Sequence, residues 1–197
     1  MEKNIKGCDL VINAAAESHV DNSFNLTDEF ILTNVLGTKH VLDFCKKYNV
    51  KKILHISTDE IYGEIYKSSF KETSGFNPSN PYSSSKAAAE MIINGYSHSY
   101  NLPTIIIRAN NIFGTRQHPE KLIAGCCWSM IKKKKFYLHG NGLQKRSFLF
   151  IGDFCKAVNK IIMKGKSNEI YNVGSKFEYK NIEITKMIAK KMNMNFK

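Results

Sequence analysis

The segments KKILHISTDEIYG (residues 51–63) and NPYSSSKAAAE (residues 80–90) decide the fold of this chain. The apolar run at residues 53–56 has the length and the β-branched content of a buried strand. It leads into the polar triplet Thr-Asp-Glu at residues 58–60. A strand that ends in acidic side chains predicts a site at the carboxyl edge of a sheet, where ligands of α/β proteins bind.

Tyr82 and Lys86 supply the second part of this prediction. They are four residues apart, and the alanine-rich run at residues 87–89 favours a helix, so both side chains fall on one helical face. Taken singly, each feature has an ordinary explanation. An acidic pair after a strand is commonly a solvated loop, and Tyr with Lys at this spacing is commonly an amphipathic helix surface. Together they favour a site in which an ammonium ion lies beside a phenol.

Predicted strands and helices alternate along the chain. The predicted strands are Asp9–Ala14, Ile53–Ser57, Pro103–Arg108, Phe136–His139 and Ile170–Val173. The predicted helices are Asp28–Tyr48, Ser84–Tyr100, Ile123–Lys133, Gly152–Met163 and Asn181–Lys191. This alternation predicts an α/β fold with a partial doubly wound, parallel, Rossmann-like sheet and a small C-terminal lobe interleaved with it. We place the Rossmann-like domain at residues 1–114 and the lobe at residues 115–197.

The composition argues against a nucleic-acid-binding protein. The chain has 197 residues, a hydrophobic fraction of 43% and a formal net charge of +12, which suit a basic globular protein. Lys132–Lys135 form an obvious basic run, but this run follows a predicted helix, where cations complement the helix dipole. The other lysines are spread along the chain. An anionic small substrate and a solvated lysine-rich surface explain the charge more simply.

Neither a membrane segment nor a metal site is predicted from the sequence. No stretch approaches the ~18 apolar residues of a membrane span, and the N-terminus lacks the apolar core of a secretion signal. The five cysteines lack CxxC spacing and the six histidines are scattered singly. We therefore expect a soluble, cytoplasmic protein with reduced thiols.

Further segments extend the pattern over nearly the whole chain. They are AAAESHVD (14–21), TNVLGT (33–38), NNIFG (110–114), HPEKL (118–122), HGNGLQKR (139–146) and EIYNVG (169–174). With Thr-Asp-Glu and Tyr-x-x-x-Lys, they resemble the extended short-chain dehydrogenase/reductase family, and the triplet is similar to that of its nucleotide-sugar 4,6-dehydratases. The resemblance implies an NAD-dependent lyase that acts on a nucleoside-diphosphate sugar. It also implies a homodimer formed through the helices Asp28–Tyr48 and Ser84–Tyr100.

The resemblance assigns chemical roles to five residues. Tyr82 would act as a phenolate base on the sugar 4-hydroxyl, with Lys86 lowering the pKa of the phenol, while hydride passes to NAD. Glu60 would then remove the C5 proton, and Asp59 would protonate the departing 6-hydroxyl. Thr58 would donate a hydrogen bond to the 4-oxygen. The hydride would return to C6, so the net reaction is loss of water.

The resemblance also implies contacts by position. The cofactor contacts are Ala14, Ala15, Ala16, Ser18, Thr33, Tyr82 and Lys86. The substrate contacts are Ser18, Thr58, Asn111, Lys121, Leu122, Tyr137, Leu138, His139, Arg146 and Asn172. His139, Phe148 and Thr115 stand where many members of the family carry Tyr, Trp and Pro. These departures leave the choice between a dTDP-linked and a UDP-linked sugar open.

The glycine-rich motif of dinucleotide-binding folds is missing from these 197 residues, since neither GxGxxG nor GxxGxxG occurs. By comparison with the family, we expect the chain to begin at the fourth strand of the sheet and to stop before the end of the C-terminal lobe. We therefore expect weak NAD binding by these residues alone. Two alternatives stay open: a sister epimerase or UDP-glucuronate decarboxylase of the same fold, or a non-catalytic binding protein.

Overall fold

The computed structural model describes residues 1–63, 69–138 and 140–194, and the chain divides into two compact units. The first unit contains Met1–Ala109 and Lys160–Val173, and the second contains Asn110–Asn159 and Gly174–Lys197. The predicted division into a Rossmann-like domain at residues 1–114 and a lobe at residues 115–197 stays a prediction. No helix in the described residues has both the length and the apolar character needed to cross a bilayer.

The first unit is built on a parallel sheet. The strands of the described chain are β1 Leu10–Asn13, β2 Lys52–Thr58, β3 Thr104–Ala109, β4 Asn111–Phe113, β5 Lys145–Phe150, β6 Glu169–Val173 and β7 Glu178–Lys180. Strands β1, β2, β3 and β6 form the sheet in the order β1-β2-β3-β6, and each neighbouring pair is parallel. Every residue of β3 is buried, as its continuous apolar run predicts for a strand covered on both faces. The predicted parallel α/β fold is confirmed.

Helices α4 and α5 pack against this sheet. The α-helices are α1 Glu2–Ile5, α2 Val20–Asn25, α3 Thr27–Phe30, α4 Gly37–Lys47, α5 Pro81–Tyr100, α6 Leu122–Ile131, α7 Ile151–Lys164 and α8 Asn181–Lys191. Leu42 and Cys45 of α4 and Ile93 of α5 share one buried cluster with Ile53 and Ile106 of the strands. Burial of each such large side chain contributes about 1.5–3 kcal/mol. The cluster thus fixes α5 against the strand that carries the acidic pair.

The helix predicted over Asp28–Tyr48 is interrupted. The predicted helical stretch is present, but between α3 and α4 the segment Ile31–Leu36 is a π-helix and not an α-helix. The wider turn places the polar side chain of Asn34 in a buried position. Such π segments are rare and occur often at functional sites. The hydrophobic spacing of the sequence carries no signal for this change of period.

The second unit contains a small mixed sheet. Strand β5 pairs in parallel with β4 and antiparallel with β7. The strand predicted over Phe136–His139 is not found in residues 136–138, and His139 lies outside the described residues. An apolar run becomes a strand only when a partner strand is available, and β5 pairs with β4 and β7 instead. The helix predicted over Asn181–Lys191 is confirmed at both ends as α8.

Candidate active site

The acidic pair lies directly after β2. Thr58 is the last residue of this strand, and its Oγ1 accepts a hydrogen bond from the Glu60 N–H at 3.3 Å. This contact caps the 3₁₀ turn Asp59–Tyr62, so both acidic side chains are held at the carboxyl end of the strand. The Thr58 hydroxyl donates to Asp59 Oδ1 at 3.5 Å, and Asn80 Nδ2 donates to Glu60 Oε2 at 3.5 Å. The structure brings these three predicted residues together.

Tyr82 lies in the first turn of α5, where Asn80 and Ser83 form a reciprocal capping box. Its side chain is buried, with the ring edge-to-face against Phe30 at 6.3 Å between centroids. Burial raises the pKa of the Tyr82 phenol far above its ordinary value, and the nearby Glu60 and Asp59 carboxylates raise it further. A hydrogen bond with Thr58 acts in the opposite direction and lowers this pKa. The phenol is therefore protonated at neutral pH.

Lys86 lies one helical turn after Tyr82, and its side chain is only 3% exposed. The Nζ atom donates to the Ile56 carbonyl at 2.7 Å and lies 3.4 Å from His55 Nε2. Burial lowers the pKa of the ammonium to about 8, although the Glu90 carboxylate opposes this change. Lys86 is therefore still mostly charged at neutral pH. Its hydrogen bonds reach Ile56 and His55, whereas the Tyr82 hydroxyl bonds to Thr58 at the end of the same strand, so the two functional groups are anchored at different positions along β2.

The loop after β1 is attached to α5 through Asn34. The Glu17 N–H donates to Asn34 Oδ1 at 2.8 Å, and Asn34 Nδ2 donates to both the Glu17 carbonyl and Ser85 Oγ at 3.0 and 2.8 Å. Ser85 in turn donates to the Tyr82 carbonyl at 2.7 Å. The predicted cofactor contacts in this region have exposed or half-buried side chains: Ala14, Ala15, Ala16, Ser18 and Thr33. Asn34 thus ties the predicted cofactor-lining loop to the helix of Tyr82.

A buried ion pair is connected to the turn that carries the acidic residues, and it was not predicted from the sequence. Arg108 of β3 and Glu90 of α5 are 2% and 0% exposed, and Arg108 Nη2 donates to Glu90 Oε2 at 2.7 Å. Arg108 Nη1 also donates to the Tyr62 hydroxyl at 2.6 Å and to the Glu72 carbonyl at 2.9 Å. Tyr62 ends the 3₁₀ turn that carries Asp59 and Glu60. An arginine within an apolar strand was the available signal, because a buried charge requires a partner.

Asn172 belongs to the same network. Its Oδ1 accepts from the Tyr62 hydroxyl at 2.8 Å, and its Nδ2 donates to the Phe70 carbonyl at 3.2 Å. Its backbone N–H donates to Glu72 Oε1 at 2.9 Å, and this bond lowers the pKa of the Glu72 carboxyl. The Asn172 side chain thus holds the segment that follows the acidic turn. Its predicted contact with substrate stays a prediction.

The other predicted substrate contacts belong to the second unit. Asn111 lies in β4, Lys121 is the N-cap residue of α6, Leu122 is the first residue of that helix, and Tyr137 is 77% exposed. Leu138 is half-buried, and the exposed Arg146 of β5 donates to the Lys145 carbonyl at 2.9 Å. His139 lies outside the described residues, so its predicted contact has no structural counterpart here. Within the described ranges, no three His, Cys, Asp or Glu side chains are grouped to hold a metal ion.

Comparison with other proteins identifies the family of the chain. The sequence profile of the family described as GDP-mannose 4,6 dehydratase matches residues 3–197. The dTDP-D-glucose 4,6-dehydratase of Dictyostelium discoideum is 42% identical over 191 residues, which is 91% of this chain and 44% of that protein. The human dTDP-D-glucose 4,6-dehydratase is 40% identical over 178 residues, or 90% of this chain and 51% of that protein. The chain thus spans about half the length of these relatives.

Solved structures give the same relationship. A crystal structure of DesIV, the dTDP-glucose 4,6-dehydratase of Streptomyces venezuelae with NAD bound, superposes with a TM-score of 0.95 at 33% identity, over 98% of this chain and 60% of that chain. The UDP-glucuronic acid 4-epimerase of Bacillus cereus superposes with a TM-score of 0.92 at 26% identity, over 98% and 62%. The chain therefore belongs to the GDP-mannose 4,6-dehydratase family of extended short-chain dehydrogenases/reductases.

Proposed function

We propose that this chain carries the sugar-oxidising and water-eliminating residues of an NAD-dependent dTDP-glucose 4,6-dehydratase, which converts dTDP-glucose to dTDP-4-keto-6-deoxyglucose. The observation that carries the proposal is the meeting of Thr58, Asp59 and Glu60 with the buried Tyr82 at the end of β2. Two carboxylates and a phenol at one strand end suit a reaction that moves several protons. The 42% identity to the Dictyostelium dehydratase supports the same substrate class.

The residues present fit the nicotinamide end of NAD. Three small residues, Ala14–Ala16, follow β1 at the edge of the sheet where ligands of α/β proteins bind. Small side chains leave room for a flat ring at this edge of the sheet. Bound NAD supplies a hydride acceptor for oxidation at C4 and a hydride donor after elimination. DesIV and other solved relatives contain NAD, which supports this choice of cofactor.

Oxidation begins with proton removal from the sugar 4-hydroxyl. In our proposal Tyr82 accepts this proton as a phenolate, so its phenol must first lose its own proton to solvent, although burial and the two carboxylates hold its pKa high. A nearby positive charge would favour the phenolate, and we assign this role to the buried ammonium of Lys86, one helical turn after Tyr82. Thr58 already bonds to the phenol, and with substrate bound its single hydroxyl proton would be donated to the sugar 4-oxygen in place of Asp59 Oδ1. Negative charge on that oxygen is stabilised by such a fixed donor.

Elimination uses the acidic pair. The 4-keto group acidifies the C5 proton, and the Glu60 carboxylate removes it while Asp59, acting as a protonated carboxylic acid, protonates the leaving 6-hydroxyl. The two carboxyls differ in their contacts, because Glu60 accepts a bond from Asn80 and Asp59 accepts one from Thr58. Different contacts allow one carboxyl to act as base and the other as acid. The net reaction is that of a lyase, since the hydride returns to the sugar.

The nucleotide part of the substrate is assigned to the second unit by the family resemblance. Arg146 has an exposed guanidinium suited to bidentate contact with a diphosphate. The other proposed contacts in the described part of this unit are Asn111, Lys121, Leu122, Tyr137 and Leu138. UDP-glucose is the second candidate substrate, because a trifunctional UDP-glucose 4,6-dehydratase of Arabidopsis thaliana is 38% identical over 194 residues. Comparing turnover of the dTDP-linked and UDP-linked sugars separates the two.

We also propose that the complete enzyme is a homodimer. Large apolar side chains are exposed on the helices that the resemblance assigns to a dimer contact: Ile31, Leu32, Leu36 and Met91. Exposed apolar side chains on neighbouring helices favour association. Sedimentation equilibrium should give a dimer whose dissociation constant rises at least tenfold in Leu36→Glu. A monomer at every concentration would contradict this part of the proposal.

The roles of the acidic pair can be tested by partial reactions. The chain is fused behind the glycine-rich segment of a dehydratase relative, and reduction of NAD is followed by absorbance. Glu60→Gln should still reduce NAD with dTDP-glucose, because oxidation at C4 needs only Tyr82 and Lys86, but should stall before water loss. Tyr82→Phe is the matched control and should abolish both steps. Normal formation of the 4-keto-6-deoxy product by Glu60→Gln would refute the assignment.

A further inference from the structure

A chain of buried polar groups runs from α4 to Lys86. Asn13 Nδ2 of β1 lies 3.3 Å from Thr38 Oγ1 of α4 and 3.2 Å from His55 Nδ1 of β2. His55 Nε2 lies 3.4 Å from Lys86 Nζ of α5. All four side chains are at most 7% exposed. Among them, only Lys86 has a role in the chemistry proposed above.

The side chains around this hydrogen-bonded chain of polar groups are mostly apolar. A small cavity of about 10 Å³ beside it is lined by Val41, Leu42, Ile53 and Ile93 together with Asn13, Thr38, His55 and Thr104. Leucine or valine at the polar positions would continue the hydrophobic core without the free-energy cost of desolvating polar groups. A connected polar chain in such a place fixes geometry only if every member is satisfied. The hydrogen-bond directions along it must therefore be mutually consistent.

The charge of Lys86 determines which group donates and which accepts in each hydrogen bond of this polar chain. An ammonium donates and cannot accept, so His55 Nε2 must accept from it and His55 Nδ1 must carry the ring proton. Burial and the neighbouring Lys86 both hold the pKa of His55 well below its ordinary value, so the ring is neutral. Nδ1–H then needs an acceptor. Rotating the Asn13 side-chain amide by 180° exchanges its oxygen and nitrogen, two atoms of nearly identical size. In the rotated amide, Oδ1 accepts hydrogen bonds from His55 Nδ1–H and from the Thr38 hydroxyl.

We propose that His55 is a positioning residue for Lys86: its neutral imidazole, oriented by Asn13 and Thr38, accepts a hydrogen bond from the ammonium through Nε2. With the Ile56 carbonyl at 2.7 Å, this bond holds Nζ at the carboxyl half of β2. The consequence for sugar oxidation rests on the proposed function, whereas the proton arrangement does not. The other ionisable groups along this part of α5 are Tyr82 and Glu90, and Glu90 is neutralised by Arg108.

The proton arrangement is tested on the chain without substrate or cofactor. Nitrogen NMR of ¹⁵N-histidine-labelled protein distinguishes the two neutral tautomers, and His55→Gln assigns the signal. We expect one histidine that stays neutral from pH 5 to pH 8 with its proton on Nδ1. A His55 ring that carries its proton on Nε2, or that titrates in this range, would overturn the proposal. Neither result would bear on the proposed dehydratase activity.

A matched pair of variants tests the coupling to Lys86. A Gln amide reaches the place of the imidazole Nε2, whereas the shorter Asn amide reaches only the place of Nδ1. The pKa of Lys86 is followed by ¹³C NMR of labelled lysine. We expect this pKa to stay near 8 in His55→Gln. In His55→Asn we expect it to fall by about one unit, which is a tenfold weaker proton affinity. In the fused enzyme, His55→Asn should move the pH profile of NAD reduction upward with little change in KM. An equal Lys86 pKa in both variants would overturn the proposal.

Discussion

Lys86 should make this protein less stable than a variant without its charge, in a way that depends on pH. The folded-state pKa of about 8 lies below the ordinary value of 10.5, so the unfolded chain holds this proton more tightly. The ammonium therefore opposes folding below pH 8, and this penalty disappears as the pH rises from about 8 to about 10.5. The shift corresponds to about 3 kcal/mol, an order-of-magnitude value for a side chain that is 3% exposed.

Lys86→Met tests this effect because Met keeps a long flexible side chain and removes the charge. The free energy of unfolding should be measured by urea titration with circular dichroism at several values between pH 7 and pH 10. Relative to the variant, the wild type should gain ~2–3 kcal/mol across this range. The gain has this sign because the unfolded wild type releases its extra proton as the pH rises.

Lys39→Met is the matched control. Lys39 is an exposed lysine on α4 that pairs with Asp43 at 2.7 Å, so its removal should change stability by less than about 1 kcal/mol at every pH. If the difference between wild type and Lys86→Met stays constant from pH 7 to pH 10, the ammonium is not desolvated as the structure implies. That result would refute the reasoning, since the pKa and the stability are two measures of one quantity.

Two other predictions concern the buried charges. Arg108→Met should lower the free energy of unfolding, measured by urea titration, by about 3–5 kcal/mol, because it leaves the fully buried Glu90 without its partner. Adding Glu90→Leu to this variant should recover part of the loss. Equal losses in the single and double variants would contradict this coupling. In the fused enzyme, Lys86→Met should lower the rate of NAD reduction at neutral pH by orders of magnitude and move its pH profile upward. An unmoved profile would mean that another group tunes Tyr82.

The residues of the candidate site could be predicted because they follow strong local signals. A β-branched run ending in Thr58 predicts a strand end, and an alanine-rich run predicts the helix that presents Tyr82 and Lys86. The parallel order of β1, β2 and β3 follows from the alternation of strands and helices. These features depend on neighbours in the sequence, so the sequence alone suffices to place them in one unit.

The supporting residues could not be predicted because their roles depend on distant partners. Arg108 and Glu90 are 18 residues apart, and Asn34 and Ser85 are 51 apart. The sequence places His55 within an apolar strand, although its ring bonds to groups on α5 and β1. The small sheet of the second unit was missed for a similar reason, since β5 begins with Lys145 and Arg146 and lacks an apolar alternation in its first half. Pairing with β4 and β7 determines its structure.

The most direct test of the account is the mass of the product. The chain, fused behind the glycine-rich segment of a dehydratase relative, is incubated with NAD and with dTDP-glucose, UDP-glucose or UDP-glucuronate in separate reactions. We predict that dTDP-glucose yields a product lighter by one water, with a 4-keto group and no lasting accumulation of reduced NAD. A product of unchanged mass, as an epimerase gives, or loss of carbon dioxide from UDP-glucuronate, would contradict the assignment of Asp59 and Glu60 to water elimination.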